Sequence, residues 1–441
     1  MKRKQVKKTL SIVLTAAMIG TTNVPVLAAD MQPVQEPAVE YGSDAEVPEN
    51  TDTNDVTSEE NVSAQDENSE NDAEAVEETV IAEASGVQYE TLQEAIDSAD
   101  EVEVKLLKDT TESVIVAAGK TVTLDLNGHK LTNTDKKNTI ENNGTLTITD
   151  SGNGGTVDNV SHARAAVVNN YDGTVTLKAG TYTRSQEAGT SSSESGDNSY
   201  YTLQNLGTMT IENGVTVNQG VDGNGKYSSL VINGKDQSHT STMTINGGTF
   251  NGGLNSVKND EGGNLTIAGG NFTNIAQHAV LNWEKTVISG GTFEVTDQAT
   301  ALICNGSYEG SAGKIEITGG NFNAGNAAVF MKFSGYAAGT TEKVSGGTFS
   351  KDLDASVLAE GYITTKNEDG TYRVEENKNV AEINGTQYES LQEAIDSADT
   401  VEVKLLKDTT ESVTVVAGKT VTLDLNGHKL TNTDKKNTIE N

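Results

Sequence analysis

A six-residue pattern, Ile/Val-x-Gly-Gly-x-Phe, recurs at Ile245-Asn-Gly-Gly-Thr-Phe250, Ile267–Phe272, Ile288–Phe293, Ile317–Phe322 and Val344–Phe349, with spacings of 22, 21, 29 and 27 residues. A looser copy is Leu177-Lys-Ala-Gly-Thr-Tyr182. A period of 20 to 30 residues built from short β-rich runs is the mark of a solenoid. One such unit cannot bury an apolar face alone and needs its neighbours stacked on it.

Each unit divides into three short strands. The first is apolar and often ends in Asn, as in Leu230-Val-Ile-Asn233, Ala279-Val-Leu-Asn282 and Leu302-Ile-Cys-Asn305. The second alternates Thr with an apolar residue, as in Thr145-Leu-Thr-Ile148, Thr208-Met-Thr-Ile211 and Thr242-Met-Thr-Ile245. The third carries the Phe or Tyr that follows the glycines. Period-2 alternation places Leu146 and Ile148 on one face and the threonines on the other. Three strands joined by tight corners make one coil, and stacked coils pair in parallel about 4.8 Å apart. The expected fold is therefore all-β, a right-handed parallel β-helix with three-strand coils. Gly and Asn suit corners that need positive φ, and a column of corner Asn side chains can hydrogen-bond up and down the stack. Thr286 and Glu342 break the alternation, since both fall at inward positions. The Thr-x-Thr runs begin at residues 121, 145, 174, 208 and 242, so the coils that carry them differ in length and a regular Thr lattice of the ice-binding kind is not expected.

A longer repeat lies over this one. Ala82–Asn142 returns as Ala381–Asn441 with seven substitutions, an offset of 299 residues. Solenoid ends are open sheet edges and must be covered. Tyr89–Ala99 reads as a short amphipathic capping helix, with Leu92, Ala95, Ile96 and Ala99 on one face and Thr91 with Glu94 as a capping box. Gly361-Tyr-Ile-Thr-Thr and Thr371-Tyr-Arg-Val flank Asn367-Glu-Asp-Gly370, the signal of a closing hairpin.

The N-terminus is of another kind. Lys2, Arg3, Lys4, Lys7 and Lys8 precede an apolar run from Leu10 to Ile19, and small residues close it at Ala28-Ala29, which describes a secretory signal peptide. From Asp30 to Ala84 there is no Lys or Arg and almost no aromatic residue, a composition expected to stay disordered. All four prolines lie before residue 50, as fits a chain whose later backbone N–H groups serve a ladder. The chain thus divides into a signal peptide (1–28), a disordered acidic linker (29–84), a β-helix module (85–379) and the truncated start of a second copy (380–441). The module comprises a capping helix (85–101), coils (102–350) and a closing hairpin (351–379), and further copies are expected in a longer array. Cys304 is the single cysteine, so no internal disulfide forms and a small core residue is the expected role. A net charge of −33 argues against nucleic acid and anionic membrane surfaces as partners.

The runs Tyr89…Leu92-Gln-Glu-Ala-Ile96, Val104-Lys-Leu-Leu-Lys-Asp109 and Gly119-Lys-Thr-Val-Thr-Leu-Asp-Leu-Asn-Gly-His-Lys-Leu131, with the Ile-x-Gly-Gly-x-Phe coils and the ending Glu360-Gly-Tyr…Asp369-Gly-Thr-Tyr-Arg-Val374, resemble tandem modules of surface proteins from Gram-positive gut bacteria. The resemblance covers about residues 82–441. It implies a pectate-lyase-like β-helix used in surface display, with wall-anchored or adhesin-like roles, and it carries no catalytic residues.

β-helix enzymes cleave polysaccharides, and inverting hydrolysis needs carboxylates converging on one bond. The chain has no Asp-Asp and no Gly-His-Gly. The best local cluster is Asp158, His162 and Arg164, for which a solvated loop is the plainer account. His129 and His428 share one repeat position beside a turn, His239 and His278 lack metal-ligand spacing, and Asp222-Gly-Asn-Gly lacks the rest of a Ca²⁺ loop. No cofactor or metal is expected. The spacing from Leu177 to Ile211 and from Ile211 to Ile245 is 34, so extra residues leave the prism at 185–199, 219–229 and 234–241. Tyr200, Tyr201 and Tyr227 flank or lie in these loops and are candidate ligand-binding residues, because loops on a rigid scaffold often carry binding. The expected function is a secreted, non-enzymatic bacterial surface protein binding host or environmental glycans or surface proteins. A polysaccharide-degrading lyase or hydrolase is the alternative.

Overall fold

The computed structural model describes residues 80–441 apart from 134–136, 161–163, 185–200, 220–228, 298, 307–310, 333–338 and 434. The chain forms a parallel β-helix. Its first rung is Glu101–Leu106, Thr110–Thr111 and Val114–Val116, and every later rung visits the same three faces in the same order. Face 1 holds the Thr-x-Thr strands, face 2 the strands after Gly-Gly, and face 3 the strands that end in Asn. Pairing within each face is parallel, as in Thr145–Thr149 with Thr121–Asp125 and Val167–Asn169 with Ile140–Asn142. Face 3 is a sheet of nine strands running from Val114–Val116 to Ala328–Lys332.

Side-chain columns explain why this register holds. On face 1, Val104, Leu124, Ile148, Leu177, Ile211 and Ile245 stack inward, each 0–1% exposed. On face 2, Phe250, Phe272, Phe293, Phe322 and Phe349 stack with centroids 4.5, 4.6, 5.0 and 4.6 Å apart and planes within 11°. Burying each ring contributes about 2–3 kcal/mol, and ring–ring contact adds roughly 0.5–1.5. A one-residue slip would turn these columns to solvent. The two glycines before each Phe have different tasks. The second has φ near +100°, as at Gly270 (108°) and Gly320 (109°). A Cβ on the first would strike the rung beneath, as at Gly290, 2.2 Å from the Ala268 carbonyl oxygen.

At the corner from face 3 to face 1 the asparagines form a ladder. The Nδ2 of Asn142, Asn169, Asn205, Asn233, Asn259 and Asn282 each donates to the Oδ1 of the next, ending on Asn305, over 2.7–2.9 Å. Each of the seven is fully buried. None has positive φ, so their role is in the side-chain amide and not, as corner chemistry suggests, in the backbone angle. The two breaks in alternation belong to this ladder. Thr286 Oγ1 donates to Asn282 Oδ1 at 2.7 Å. Beyond Asn305 the column position passes to Lys332. Asn305 then donates to Glu342 at 2.9 Å, and Lys332 Nζ lies 3.3 Å from the same carboxylate. The ladder therefore ends in an ion pair rather than an orphaned amide.

Strand structure is present before residue 85, where the module was expected to start. Ala82–Ala84 is a strand, antiparallel to Val87–Tyr89 and to Glu101–Leu106, with Ala82 and Ala84 buried. Its apolar side chains suit an edge cover, which the acidic composition before them conceals. The capping helix is Leu92–Asp97, capped by Thr91 Oγ1 accepting from the Glu94 amide at 3.2 Å. The Glu112 carboxylate of the first rung also accepts from the Leu92 and Gln93 amides. The Gln93 side chain closes the open edge of face 3: its Oε1 accepts from Ile115 N at 2.8 Å and its Nε2 donates to Ile115 O at 3.0 Å. At the other end Tyr362–Lys366 and Tyr372–Glu376 form the hairpin, which pairs antiparallel with Thr348–Phe349.

Candidate functional site: the margins of face 3

Connections from face 1 to face 2 are short throughout, and in Thr174–Thr183 and Thr208–Asn218 a single strand spans both faces. The extra residues enter beside face 3. Segments 184–200 and 219–228 lead into its strands Tyr201–Asn205 and Ser229–Asn233, and 234–240, 306–313 and 333–340 lead out of its strands. Face 3 is the decorated face.

On its leading margin, where face 2 turns into face 3, buried polar side chains gather. Asp158, Asn159, Arg184, Thr202, Ser256 and Gln219 are 0–2% exposed. Strand register sets Asp158 beside Thr183, so Arg184 follows Asn159 in the adjacent rung. The Lys130 Nζ pairs with Asp158 at 2.9 Å, and Asn159 Nδ2 donates to Ala165 O at 2.9 Å and to Thr139 Oγ1 at 3.2 Å. The Thr202 and Ser256 hydroxyls and the Gln219 amide are buried without a hydrogen-bond partner, an expensive state for polar groups. His278 lies further along this margin, its Nδ1 2.9 Å from the Ala301 carbonyl. That contact makes Nδ1 the protonated nitrogen. Burial pushes the imidazole down to about 4, against the pull of the Ala301 carbonyl, so it is neutral at physiological pH.

On the trailing margin Tyr171, Asp236, Ser238 and His239 meet, from turns 65 residues apart in sequence. The Tyr171 hydroxyl donates to Asp236 Oδ2 at 2.7 Å, and its ring lies 4.0 Å from that of His239, tilted by 33°. His239 Nδ1 is 3.0 Å from Asp236 Oδ1, and the Ser238 hydroxyl donates to the same oxygen. Burial works to raise the Asp236 pKa, but the hydrogen bonds from Ser238, Tyr171 and His239 outweigh it and hold the carboxyl well below the usual range. The result is a fixed anion behind a tilted aromatic pair, with the His239 side chain 51% exposed. Such a platform can stack on a sugar or a peptide ring.

The expected site residues are distributed differently from the sequence reading. Tyr201 is 8% exposed within the strand Tyr201–Asn205, so little of its ring faces solvent. Asp158 is fully buried and Arg164 exposed. Tyr200, Tyr227, His162 and the Asp222 turn lie outside the described residues. His129 is a surface turn residue 3.4 Å from Asp109. Cys304 is buried with Leu281 and Trp283, and burial pushes its thiol up to about 12, as suits an inert side chain. Among the described residues no group of three His, Cys, Asp or Glu side chains is placed to hold a metal ion, and no helix is long and apolar enough to cross a membrane. Sequence reasoning did not single out Tyr171 or link it to Asp236, because only the rung register brings them together.

Fold and site together define a parallel β-helix protein with one decorated face. Comparison of the chain with protein-family models, with curated proteins and with solved structures finds no match.

Proposed function

We propose that the chain is a secreted bacterial surface protein whose β-helix is a rigid, non-enzymatic scaffold that binds glycans or surface proteins through the inserts of face 3. The observation that carries this reading is the confinement of every long connection to the margins of one face, while the other turns stay short. A scaffold held by amide and aromatic columns can present loops at fixed positions, which lowers the ordering cost of binding. The basic, apolar, small-residue order of residues 1–29 supports export, and the duplicated start of the module supports an array. The test is glycan-array and cell-adhesion binding with three variants: residues 185–199 replaced by a short Gly-Ser turn, Tyr171→Ala with His239→Ala, and Tyr200→Ala with Tyr227→Ala. Loss of binding at an unchanged melting temperature is expected for at least one variant. Full binding by all three would overturn the assignment to face 3. Turnover of a polysaccharide that Asp158→Ala abolishes would overturn the non-enzymatic reading.

A further inference from the structure

The threonines of face 1 form a regular table. Coil-length differences do not disturb it, contrary to the sequence expectation, because the extra residues leave beside face 3. Thr121, Thr145, Thr174, Thr208 and Thr242 stand in one in-register column. Thr123, Thr147, Thr176, Thr210, Thr244 and Thr266 stand in the next. All point outward between buried apolar residues, as the alternation in Thr145–Thr149 shows. None of these hydroxyls is spent on a neighbouring side chain, whereas the ladder amides inside are fully engaged. Rows repeat about every 4.8 Å along the helix axis, and the two columns lie roughly 6.7 Å apart along the strands.

The table is also neutral, in a chain of net charge −33. Glu101 and Glu103 bound it at one end, and Lys285, Lys314 and Glu316 bound it at the other, in the same two columns. Asp125, Lys178 and Glu212 stand only at its side. A polyanion finds no cations there, and an apolar peptide finds no hydrophobic surface. A strip of five two-threonine rows, with Asn264 beside Thr266 in a sixth, matches a line more closely than a plane. In an extended β-1,4-linked polysaccharide the advance per sugar is close to the rung spacing, so each pyranose meets one row of donors, acceptors and methyl groups.

We propose that face 1 binds an uncharged, extended β-linked polysaccharide lying along the helix axis, one sugar to each rung. This rests on the glycan-binding reading above and moves the contact to a second face, away from the inserts. The single hydroxyl contacts are weak, and affinity comes from their repetition along the strip.

The test is depletion of the full chain from solution by microcrystalline cellulose and by chitin. It is run beside Thr147→Lys with Thr176→Lys and Thr210→Lys, beside the three threonines changed to Ser, and beside the 185–199 replacement. These side chains point outward and are half-buried, so the melting curve of each variant is recorded and retention is compared below its melting temperature. The expected result is retention of the parent on one of the two polymers, at least a tenfold loss for the lysine variant, near-parental retention for the serine variant, and no loss for the loop replacement. Equal retention of the lysine variant, or loss confined to the loop replacement, overturns the table while leaving the face-3 reading intact. Failure of the parent to bind either polymer also overturns it, and the glycan array then decides the broader reading separately. Thermal hysteresis of freezing without polymer retention would assign the table to ice and overturn the polysaccharide proposal.

Discussion

Ala82–Asn142 and Ala381–Asn441 are nearly the same sequence in two packing environments. Their local structures agree closely. Leu92–Asp97 and Leu391–Asp396 are matching helices, capped by Thr91 and Ser390. Glu112 and Glu411 accept from the first helical amides. Gln93 and Gln392 close the same strand edge at 2.8 and 3.0 Å. Asn127 and Asn426 take φ of 50° and 48°. The first rungs are equally buried, Val104 and Val403 at 1% and Leu106 and Leu405 at 0%. The second rungs part company. Leu126 and Ile140 are 0% and 1% exposed, whereas their counterparts Leu425 and Ile439 are 46% and 50% exposed. Thr145–Thr149 and Val167–Asn169 cover Leu126 and Ile140 in the first copy, and within residues 381–441 no strand lies in that position over Leu425 and Ile439. Local chemistry therefore makes cap and rung, but burial is a property of the neighbour.

The sharpest way to break this comparison is one substitution made in both copies. Leu124→Ala removes a side chain that is 1% exposed and should cost about 2–5 kcal/mol in a urea melt. The equivalent Leu423→Ala removes a half-buried one and should cost under about 1 kcal/mol. Equal losses would mean that the two second rungs are packed alike. Acid should also separate the copies. His278 belongs to rungs that have no counterpart in the repeat, and it stays neutral to about pH 4. The unfolded imidazole takes up its proton near pH 6.5. Between those values the unfolded state binds more protons, so the first module loses roughly 3 kcal/mol as pH falls from 7 to 4. His278→Gln should flatten that part of the pH profile, and hydrogen exchange at 381–441 should not follow it.

The ladder gives a smaller contrast. Asn142→Ala strands the Asn169 carbonyl and should cost about 1–3 kcal/mol, while its counterpart Asn441→Ala should change the melt little. Glu112→Gln and Glu411→Gln, by contrast, should have the same effect, near 1 kcal/mol on exchange of the helix amides, because both caps are local. The smallest expected change comes from ending the chain at Asn379. The melting temperature of the first module should then stay within about 2 °C, since the repeat has its own sheets and its own apolar cluster. A large loss would contradict the modular boundary.

Much of this was legible in the chain because a solenoid repeats its physics. Gly-Gly-x-Phe marks the corner and the aromatic column, Thr-x-apolar-x marks a two-faced strand, and terminal Asn marks the ladder. The site was less legible. Tyr201 has the composition of a display residue, but its strand position buries it. The meeting of Tyr171 with Asp236 and His239 depends on which rung lies beside which. No local pattern announces that the inserts share one face, since sequence spacing measures only the length of a coil and not the corner at which the excess leaves.

The sequence by itself determined the period, the strand alternation, the caps and the places where positive φ requires glycine, because each depends on residues within one coil. Tertiary structure alone decided three further things: that Glu342 and Lys332 end the amide ladder, that the Thr columns stay in register despite unequal coils, and that Leu126 and Ile140 become core where Thr145–Thr149 and Val167–Asn169 lie over them. These depend on contacts between rungs, and a side chain's burial free energy is realised only when the neighbouring rung removes its surface from water.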